Sequence, residues 1–155
     1  MSLLYAAANG DTSLCKQLIA YGKMCGYDVG EREPDTLSTP LHLAAINGHE
    51  KIIQLLLSHN SHNKANVNSR NRIEATPLHC ASTEGHLASV VTLLQAGADP
   101  LLPKRDGALP IHMAAQYNHS EVVRILIEQG GCSPDQVRQT ALHCTYCESS
   151  SLKAS

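Results

Sequence analysis

Large aromatic side chains are almost absent from this chain of 155 residues. It contains no tryptophan, no phenylalanine and only five tyrosines, although 43% of its residues are hydrophobic. Any core built from this composition must therefore be aliphatic, made of leucine, isoleucine, valine and alanine. The hydrophobic fraction also argues against an intrinsically disordered chain, which could not bury enough apolar surface to fold.

Strong net charge and long apolar runs are missing as well. The formal net charge is −2, so no electrostatic attraction to nucleic acid is expected. Apolar runs such as those at residues 52–53 and 55–57 are far shorter than the roughly 18 residues of a membrane-spanning helix. Residues 1–20 lack the basic segment that precedes the apolar block of a signal peptide. We therefore expect no nucleic-acid or membrane partner, and six reduced cysteines in the cytoplasm or the nucleus.

Recognisable catalytic motifs are not found either. The chain has neither the glycine-rich dinucleotide fingerprint nor the phosphate-binding loop with its lysine. Its acidic residues are scattered singly, and no pair is placed for acid–base catalysis. The sequence thus predicts a protein that is not an enzyme and that needs no cofactor.

The chain does contain an internal repeat. The motif Thr39-Pro40-Leu41-His42 returns at residues 76–79 as Thr-Pro-Leu-His, at 109–112 as Leu-Pro-Ile-His, and at 140–143 as Thr-Ala-Leu-His. The first three copies are followed by a glycine or asparagine, then a histidine, then an aliphatic block. The motif histidines are 37, 33 and 31 residues apart, and repeats of about this length are typical of stacked architectures. We therefore interpret the whole chain as a series of repeat units.

Each repeat unit is predicted to be a helix–turn–helix. Thr39 and Thr76 are candidate N-caps, and the prolines that follow suit the first helical position. The pattern predicts first helices over residues 41–46, 78–83 and 111–117, with left-handed residues at Gly48, Gly85 and Asn118. Second helices follow and are predicted to end at Gly97 or Gly130. Because two short helices cannot bury their own apolar face, the units must stack, and thin helical layers explain the lack of aromatic residues.

These motifs resemble the ankyrin repeat family. Thr-Pro-Leu-His-x-Ala is complete at residues 39–44 and 76–81, and residues 109–114 keep its Pro, His and Ala. The resemblance implies an all-α ankyrin-repeat solenoid of stacked helix-turn-helix units, four repeats plus a partial fifth, forming one domain. The repeats span about 1–38, 39–75, 76–108, 109–139 and, for the partial one, 140–155.

The two terminal units depart from the pattern. In the first, Gly10 and Gly22 fall on the two glycine positions, and Leu4 replaces the motif histidine. The last unit has room for one helix only. We expect a fragment or truncated form of a longer protein, with a stack that ends in a half-repeat as the alternative.

Nine histidines first suggest a metal site, but seven of them fall on repeat positions. By resemblance, the motif histidines bond the backbone and the threonine hydroxyl and so tie adjacent units together. His59 and His62 lie in one loop without two further ligands nearby, and Cys144 and Cys147 form a C-x-x-C pair without a second pair. No metal site is predicted, although metal or redox sensing through these residues remains a weaker alternative.

With no catalytic or metal site predicted, the candidate functional feature is a surface that binds another protein. The resemblance implies a concave face, formed by the turns between repeats and the exposed side of the first helices, that binds another protein while the chain itself stays monomeric. Transferring the family positions gives the candidate contact residues Ile46, Asn47, Arg72, Ile73, Thr83, Glu84, Arg105, Asp106, Gln116 and Tyr117. The predicted function is a protein–protein interaction module acting as scaffold, adaptor or inhibitor. The alternative is a regulatory or targeting segment of a larger enzyme, such as a kinase or ubiquitin ligase.

Charge is spread unevenly along the chain. Residues 51–105 carry six basic and three acidic side chains, whereas the segments on either side are net acidic. The basic excess gathers in the turns, at Arg70, Arg72, Lys104 and Arg105. A partner with an acidic patch would dock faster on such a surface, so the partner protein is expected to carry one.

Overall fold

The computed structural model describes residues 2–25, 29–58 and 65–136 and contains no β-strand within them. Eight helices of seven residues or more lie in these ranges: α1 (Leu3–Asn9), α2 (Thr12–Cys25), α3 (Pro40–Ile46), α4 (Glu50–Ser58), α5 (Pro77–Glu84), α6 (Leu87–Gln95), α7 (Pro110–Gln116) and α8 (Ser120–Glu128). The all-α fold of stacked helix pairs is therefore confirmed. The partial fifth repeat at 140–155, the pair Cys144 and Cys147, and the loop residues His59 and His62 lie outside the described residues.

The helices form two layers. The first helices of the units, α1, α3, α5 and α7, pack side by side in one layer, and the second helices, α2, α4, α6 and α8, pack in the other. In the described part of the chain, each unit adds one helix to each layer, and the helices of a layer pack against those of adjacent units, which is the arrangement of a solenoid. Within the described ranges, no helix is both long enough and apolar enough to cross a membrane.

The first helices begin at the motif proline. Thr39, Thr76 and Leu109 are N-caps with extended backbone, and Pro40, Pro77 and Pro110 are the first helical residues that follow them. Proline suits this position because its fixed φ is already helical and its missing N–H has no helical partner. The predicted first helical position of Pro40 and Pro77 is therefore confirmed.

The predicted left-handed breaks after the first helices are confirmed. Gly48, Gly85 and Asn118 have φ values of 70°, 74° and 67°. Helices α6 and α8 end at Gln95 and Glu128, each two residues before the glycine at which the end was predicted, Gly97 or Gly130. The first unit differs, because helix α2 continues through Gly22 to Cys25 and the glycine does not end it.

The core is aliphatic, as the composition requires. Leucine and isoleucine occupy equivalent positions in successive repeats and are fully buried: Leu3, Leu41, Leu78 and Ile111 in the first helices, and Leu56, Leu93 and Leu126 in the second. Burying one such side chain stabilises a fold by roughly 1.5–3 kcal/mol. Alanines at 6, 44, 81 and 114 are also buried and let neighbouring helices approach closely. This shared core joins the first and second helices of successive repeats in one stack.

Candidate protein-binding face

The turns between repeats, called tips below, are hydrogen-bonded hairpins. In the second tip, the Asn71 N–H donates to the Ala75 carbonyl (3.1 Å), and in the third, the Lys104 N–H donates to the Ala108 carbonyl (2.9 Å). In the first, the Glu33 N–H donates to the Ser38 carbonyl (2.9 Å). Each tip thus has a closed shape that precedes the N-cap of a first helix.

Adjacent tips are also joined to each other. The Arg72 N–H donates to the Thr36 carbonyl (2.8 Å), and the Arg105 N–H donates to the Ile73 carbonyl (3.0 Å). These equivalent bonds align the tips in a row. We call the exposed residues of this row the tip row: Asp35, Thr36, Arg72, Ile73, Arg105 and Asp106.

Arginine side chains brace the tip row further. Arg105 Nη2 donates to the carbonyl of Arg72 (2.8 Å), and Arg32 Nη1 donates to the carbonyl of Arg70 (2.8 Å). Arg72 Nη2 reaches the carbonyl of Pro34 at 3.5 Å. Each guanidinium therefore has a preferred orientation although its side chain is exposed.

Ion pairs neutralise part of the basic excess that the sequence shows. Arg70 pairs with Glu74 (3.0 Å) and Lys104 pairs with Asp106 (2.7 Å). Partial burial is the largest single influence on the pKa of the Asp106 carboxyl and raises it, but the hydrogen bonds from Lys104 and from backbone N–H groups, together with the Lys104 charge, outweigh it, so the pKa is lowered. Two of the four basic residues expected to attract an acidic partner are thus already paired.

A second row of candidate residues lies at the other ends of the first helices. It consists of Ile46 and Asn47 at the end of α3, Thr83 and Glu84 at the end of α5, and Gln116 and Tyr117 at the end of α7. We call it the helix-end row. Because a first helix of about seven residues is roughly 10 Å long, the two rows border a strip of about that width.

Apolar side chains are exposed in both rows. Ile73 is 51% exposed and Tyr117 is 52% exposed, while Ile46 is 36% exposed. Solvent-facing apolar residues of this size are common anchors in protein interfaces. Thr83 differs from the other candidates, since it is half-buried and its hydroxyl donates to the His79 carbonyl (2.8 Å).

Two features of this face were missed by sequence reasoning. Tyr5, at 59% exposure, occupies in α1 the position that Leu43, Cys80 and Met113 hold in later repeats, so it extends the strip between the rows. The repeat alignment could have identified it. Ser38 and Ala75, which lie in the tips close to exposed candidates, are themselves buried at 4% exposure each.

The motif histidines have the structural role that the resemblance implied. The Thr39 N–H donates to His42 Nδ1 (3.2 Å), and His42 Nε2 donates to the carbonyl of Ala75, which directly precedes the N-cap of the next repeat (2.9 Å). His79 repeats this pattern with Thr76 and with the Ala108 carbonyl (3.0 Å). Burial lowers the pKa of both imidazoles to about 4, so both are neutral at physiological pH.

The second set of histidines ties each repeat to the preceding one. Nε2 of His49, His86 and His119 donates to the carbonyls of Ala8, Ile46 and Thr83, at 3.1, 2.9 and 2.9 Å. Each ring lies against the left-handed residue of the preceding repeat, at Gly10, Gly48 and Gly85. The expectation that these histidines are structural agrees with these contacts.

Metal and thiol chemistry find little support in this part of the chain. Within the described residues, no three His, Cys, Asp or Glu side chains are grouped as a metal site requires. Burial raises the pKa of Cys15 to about 11 and that of Cys80 to about 12, so these thiols stay protonated and poorly nucleophilic.

Comparisons with known proteins agree with the repeat pattern. A family model described as ankyrin repeats in three copies matches residues 3–104, and another described as ankyrin repeats in many copies matches residues 93–143. These matches overlap and together span the repeats that the structure describes.

Several curated proteins are similar to the chain. Human palmitoyltransferase ZDHHC13 is 35% identical over 114 residues, covering 72% of this chain and 17% of that protein. Palmitoyltransferase Hip14 of Drosophila melanogaster is 41% identical over 89 residues, covering 57% and 13%. Human Rabankyrin-5 is 34% identical over 133 residues, covering 72% and 10%. The chain thus spans between 10% and 19% of the length of the curated relatives it matches.

Proposed function

Because the chain belongs to the ankyrin repeat family, we propose that it is a protein-interaction module whose partner binds across the tip row and the helix-end row. The observation that carries this proposal is the combination of exposed apolar anchors with oriented arginines. Ile73 lies beside Arg72 in the tip row, and Ile46 and Tyr117 border the opposite side of the strip. A partner could bury the apolar side chains there while its polar groups bond the guanidinium groups.

The role of such a module is that of a scaffold, adaptor or inhibitor, and catalysis is assigned to none of its residues. The chain is expected to act as a monomer. A location in the cytoplasm or the nucleus stays our prediction from the sequence.

The proposal is tested by reversing charge on opposite surfaces. The tip variant Arg72→Glu with Arg105→Glu changes the binding face, and the matched variant Lys16→Glu with Lys51→Glu changes exposed residues of α2 and α4 in the second-helix layer. Both remove two positive charges and add two negative ones. We expect the tip variant to lose proteins that the unaltered chain captures from native lysate, and the matched variant to keep them.

Circular dichroism and urea unfolding of both variants check that the fold is intact. If both variants capture the same proteins as the unaltered chain, the assignment of the binding face is wrong. If both lose them equally, net charge and not the tip row governs capture.

A second candidate function follows from the comparisons. Two of the similar proteins are palmitoyltransferases, and in each of them the matched repeats are a small part of a longer chain. These repeats would then be the segment through which a larger palmitoyltransferase recruits a protein. This candidate names a different class of enzyme from the kinase or ubiquitin ligase that the sequence suggested.

An antibody raised against residues 65–136 separates the two candidates. Immunoblots of native lysate should show a band several times heavier than 16.7 kDa if the repeats belong to a larger enzyme. A single band near the mass of the chain would contradict the second candidate and leave the first in place.

A further inference from the structure

The charge of the tip row changes sign at one equivalent position. Because the Arg72 N–H bonds the Thr36 carbonyl and the Arg105 N–H bonds the Ile73 carbonyl, Asp35, Arg72 and Arg105 mark the same place in three successive tips. All three side chains are exposed. From the first tip to the third, the charge at this position is therefore negative, positive and positive.

Arg72 and Arg105 remain available for a ligand. Among the described residues, neither takes part in an ion pair, whereas Arg70 and Lys104 are each paired with a carboxylate. Each of the two uses Nη2 toward a tip carbonyl, and a guanidinium has five N–H donors, so most of its donors are not used within the tips. The tip row thus holds two oriented arginines and not a diffuse basic patch.

The hydrogen bonds of the tips fix the spacing of these arginines. Two hydrogen-bonded spacings separate equivalent positions in adjacent tips. One lies between the two arms of a hairpin, and the other lies between neighbouring hairpins. Each such spacing is roughly 4.8 Å, so equivalent positions in adjacent tips are roughly 10 Å apart. Two groups that bind Arg72 and Arg105 together must match this separation.

Among extended peptide conformations, polyproline II matches it best. That helix has three residues per turn and rises about 3.1 Å per residue, so residues i and i+3 lie on the same side roughly 9 Å apart. In a β-strand, residues two apart share a face at only about 7 Å, and residues three apart lie on opposite faces. The spacing of the arginines thus selects for both the conformation and the sequence of a ligand.

We propose that Arg72 and Arg105 bind two carboxylates placed three residues apart on a polyproline II segment of the partner protein. This inference rests on the proposed function, of which it names the ligand chemistry. Ile73, exposed between the two arginines along the row, accommodates an apolar residue of the segment. Asp35 repels a third carboxylate and limits the acidic site to two tips.

The first experiment varies the spacing of two glutamates in short proline-rich peptides. Peptides with glutamates two, three or four residues apart are titrated against the full chain at low ionic strength, and binding is followed by fluorescence anisotropy. We expect the spacing of three to bind most tightly. Arg72→Gln and Arg105→Gln should each weaken that peptide about fivefold, the upper range for an exposed ion pair. Arg70→Gln is the matched control and should change its binding little, because Arg70 is already paired with Glu74.

The second experiment seeks a gain of affinity, which unfolding cannot imitate. A peptide with three glutamates, each three residues apart, should bind the unaltered chain no better than the peptide with two. In the Asp35→Arg variant all three equivalent positions are basic, and the longer peptide should gain about fivefold.

Equal affinity for the three spacings, or an equal loss with Arg70→Gln, would overturn the inference, as would the absence of a gain in Asp35→Arg. Such a result together with continued loss of partner proteins by the charge-reversed tip variant refutes the peptide chemistry alone. If that tip variant also keeps its partners, the proposed function fails with it.

Discussion

At the scale of single residues, two serines stand out in the third repeat because they are polar where the neighbouring repeats are apolar. Ser82 is fully buried at a position that holds Ala7 in the first repeat and Ala45 in the second. Ser89 is buried where the second and fourth repeats have Ile52 and Val122. Within the described part of the chain, neither hydroxyl has a hydrogen-bond partner.

We therefore predict that Ser82→Ala and Ser89→Ala each raise the free energy of unfolding by about 1 kcal/mol. The gain comes from removing an unsatisfied buried hydroxyl and from the better helix propensity of alanine. Urea unfolding measures it. Ser58→Ala is the control, because Ser58 is exposed and its hydroxyl donates to the Leu55 carbonyl (3.1 Å). A loss of stability in both core variants would show that these hydroxyls are bonded in solution.

At the scale of helices and turns, the repeats depend on one another. A helix of seven residues is too short to be stable alone, so α3 and α7 persist because they pack against their neighbours. The contact of a histidine with the preceding glycine is one such dependence. A Cβ at Gly48 would lie 2.7 Å from His86 Nδ1, closer than carbon and nitrogen can approach.

Gly48→Ala is therefore predicted to cost about 2–3 kcal/mol of stability. Roughly 1 kcal/mol is the strain of a side chain at a φ of 70°, and the rest comes from displacing His86 and its bond to the Ile46 carbonyl. Gly97→Ala is the matched control, since Gly97 has a φ of 89° but nothing lies within 4 Å of its added Cβ. It should cost about 1 kcal/mol, which is the strain alone.

The pair of Gly48→Ala and His86→Ala tests the same contact in a double-mutant cycle. If the glycine and the imidazole share one contact, the double variant loses less stability than the two single losses added together. Additive losses would mean that the alanine is accommodated without moving the ring.

The repeat pattern predicted these elements and the bonds of the motif histidines well, and the arginine bonds of the tips poorly. The phase of Thr-Pro-Leu-His placed the first helices within a residue or so and predicted the left-handed Asn118, because both depend on local sequence. The bond from Arg105 to the Arg72 carbonyl joins residues 33 apart in sequence, and it depends on how two tips align in the stack. The pairing of Arg70 with Glu74 is local and could have been predicted from the sequence.

At the scale of the whole molecule, histidines link the repeats in both directions. His42 and His79 donate forward to the Ala75 and Ala108 carbonyls, while the second set donates backward. A forward link requires a neutral ring, because Nδ1 must accept from the N–H of the N-cap while Nε2 donates. Protonation at Nδ1 would remove that acceptor inside the stack.

The stack is consequently predicted to lose stability in mild acid. Both pKa values are lowered from the ordinary value of 6.5 to about 4, mainly by burial. The unfolded chain thus takes up protons below pH 6.5 that the folded chain does not. The stabilisation that depends on these two neutral rings is fully present above pH 6.5. It decreases as the pH drops toward 4, and it changes no further below that value. The loss is on the order of 3 kcal/mol for each histidine, which is a large part of the roughly 5–15 kcal/mol of a typical domain.

Urea unfolding as a function of pH measures this loss, and His79→Gln provides the comparison. The variant should be less stable at neutral pH, because the bonds of the imidazole are lost. Glutamine cannot take up a proton, so unfolding of the variant should be coupled to the uptake of about one proton fewer, and its stability should fall less steeply on acidification. NMR titration of the full chain should show the rings of His42 and His79 neutral until the pH nears 4. An identical pH dependence in the variant and the unaltered chain would contradict the assignment, because the acid sensitivity would then arise elsewhere. A shallower slope in the variant would place the acid sensitivity in the links that hold neighbouring repeats together.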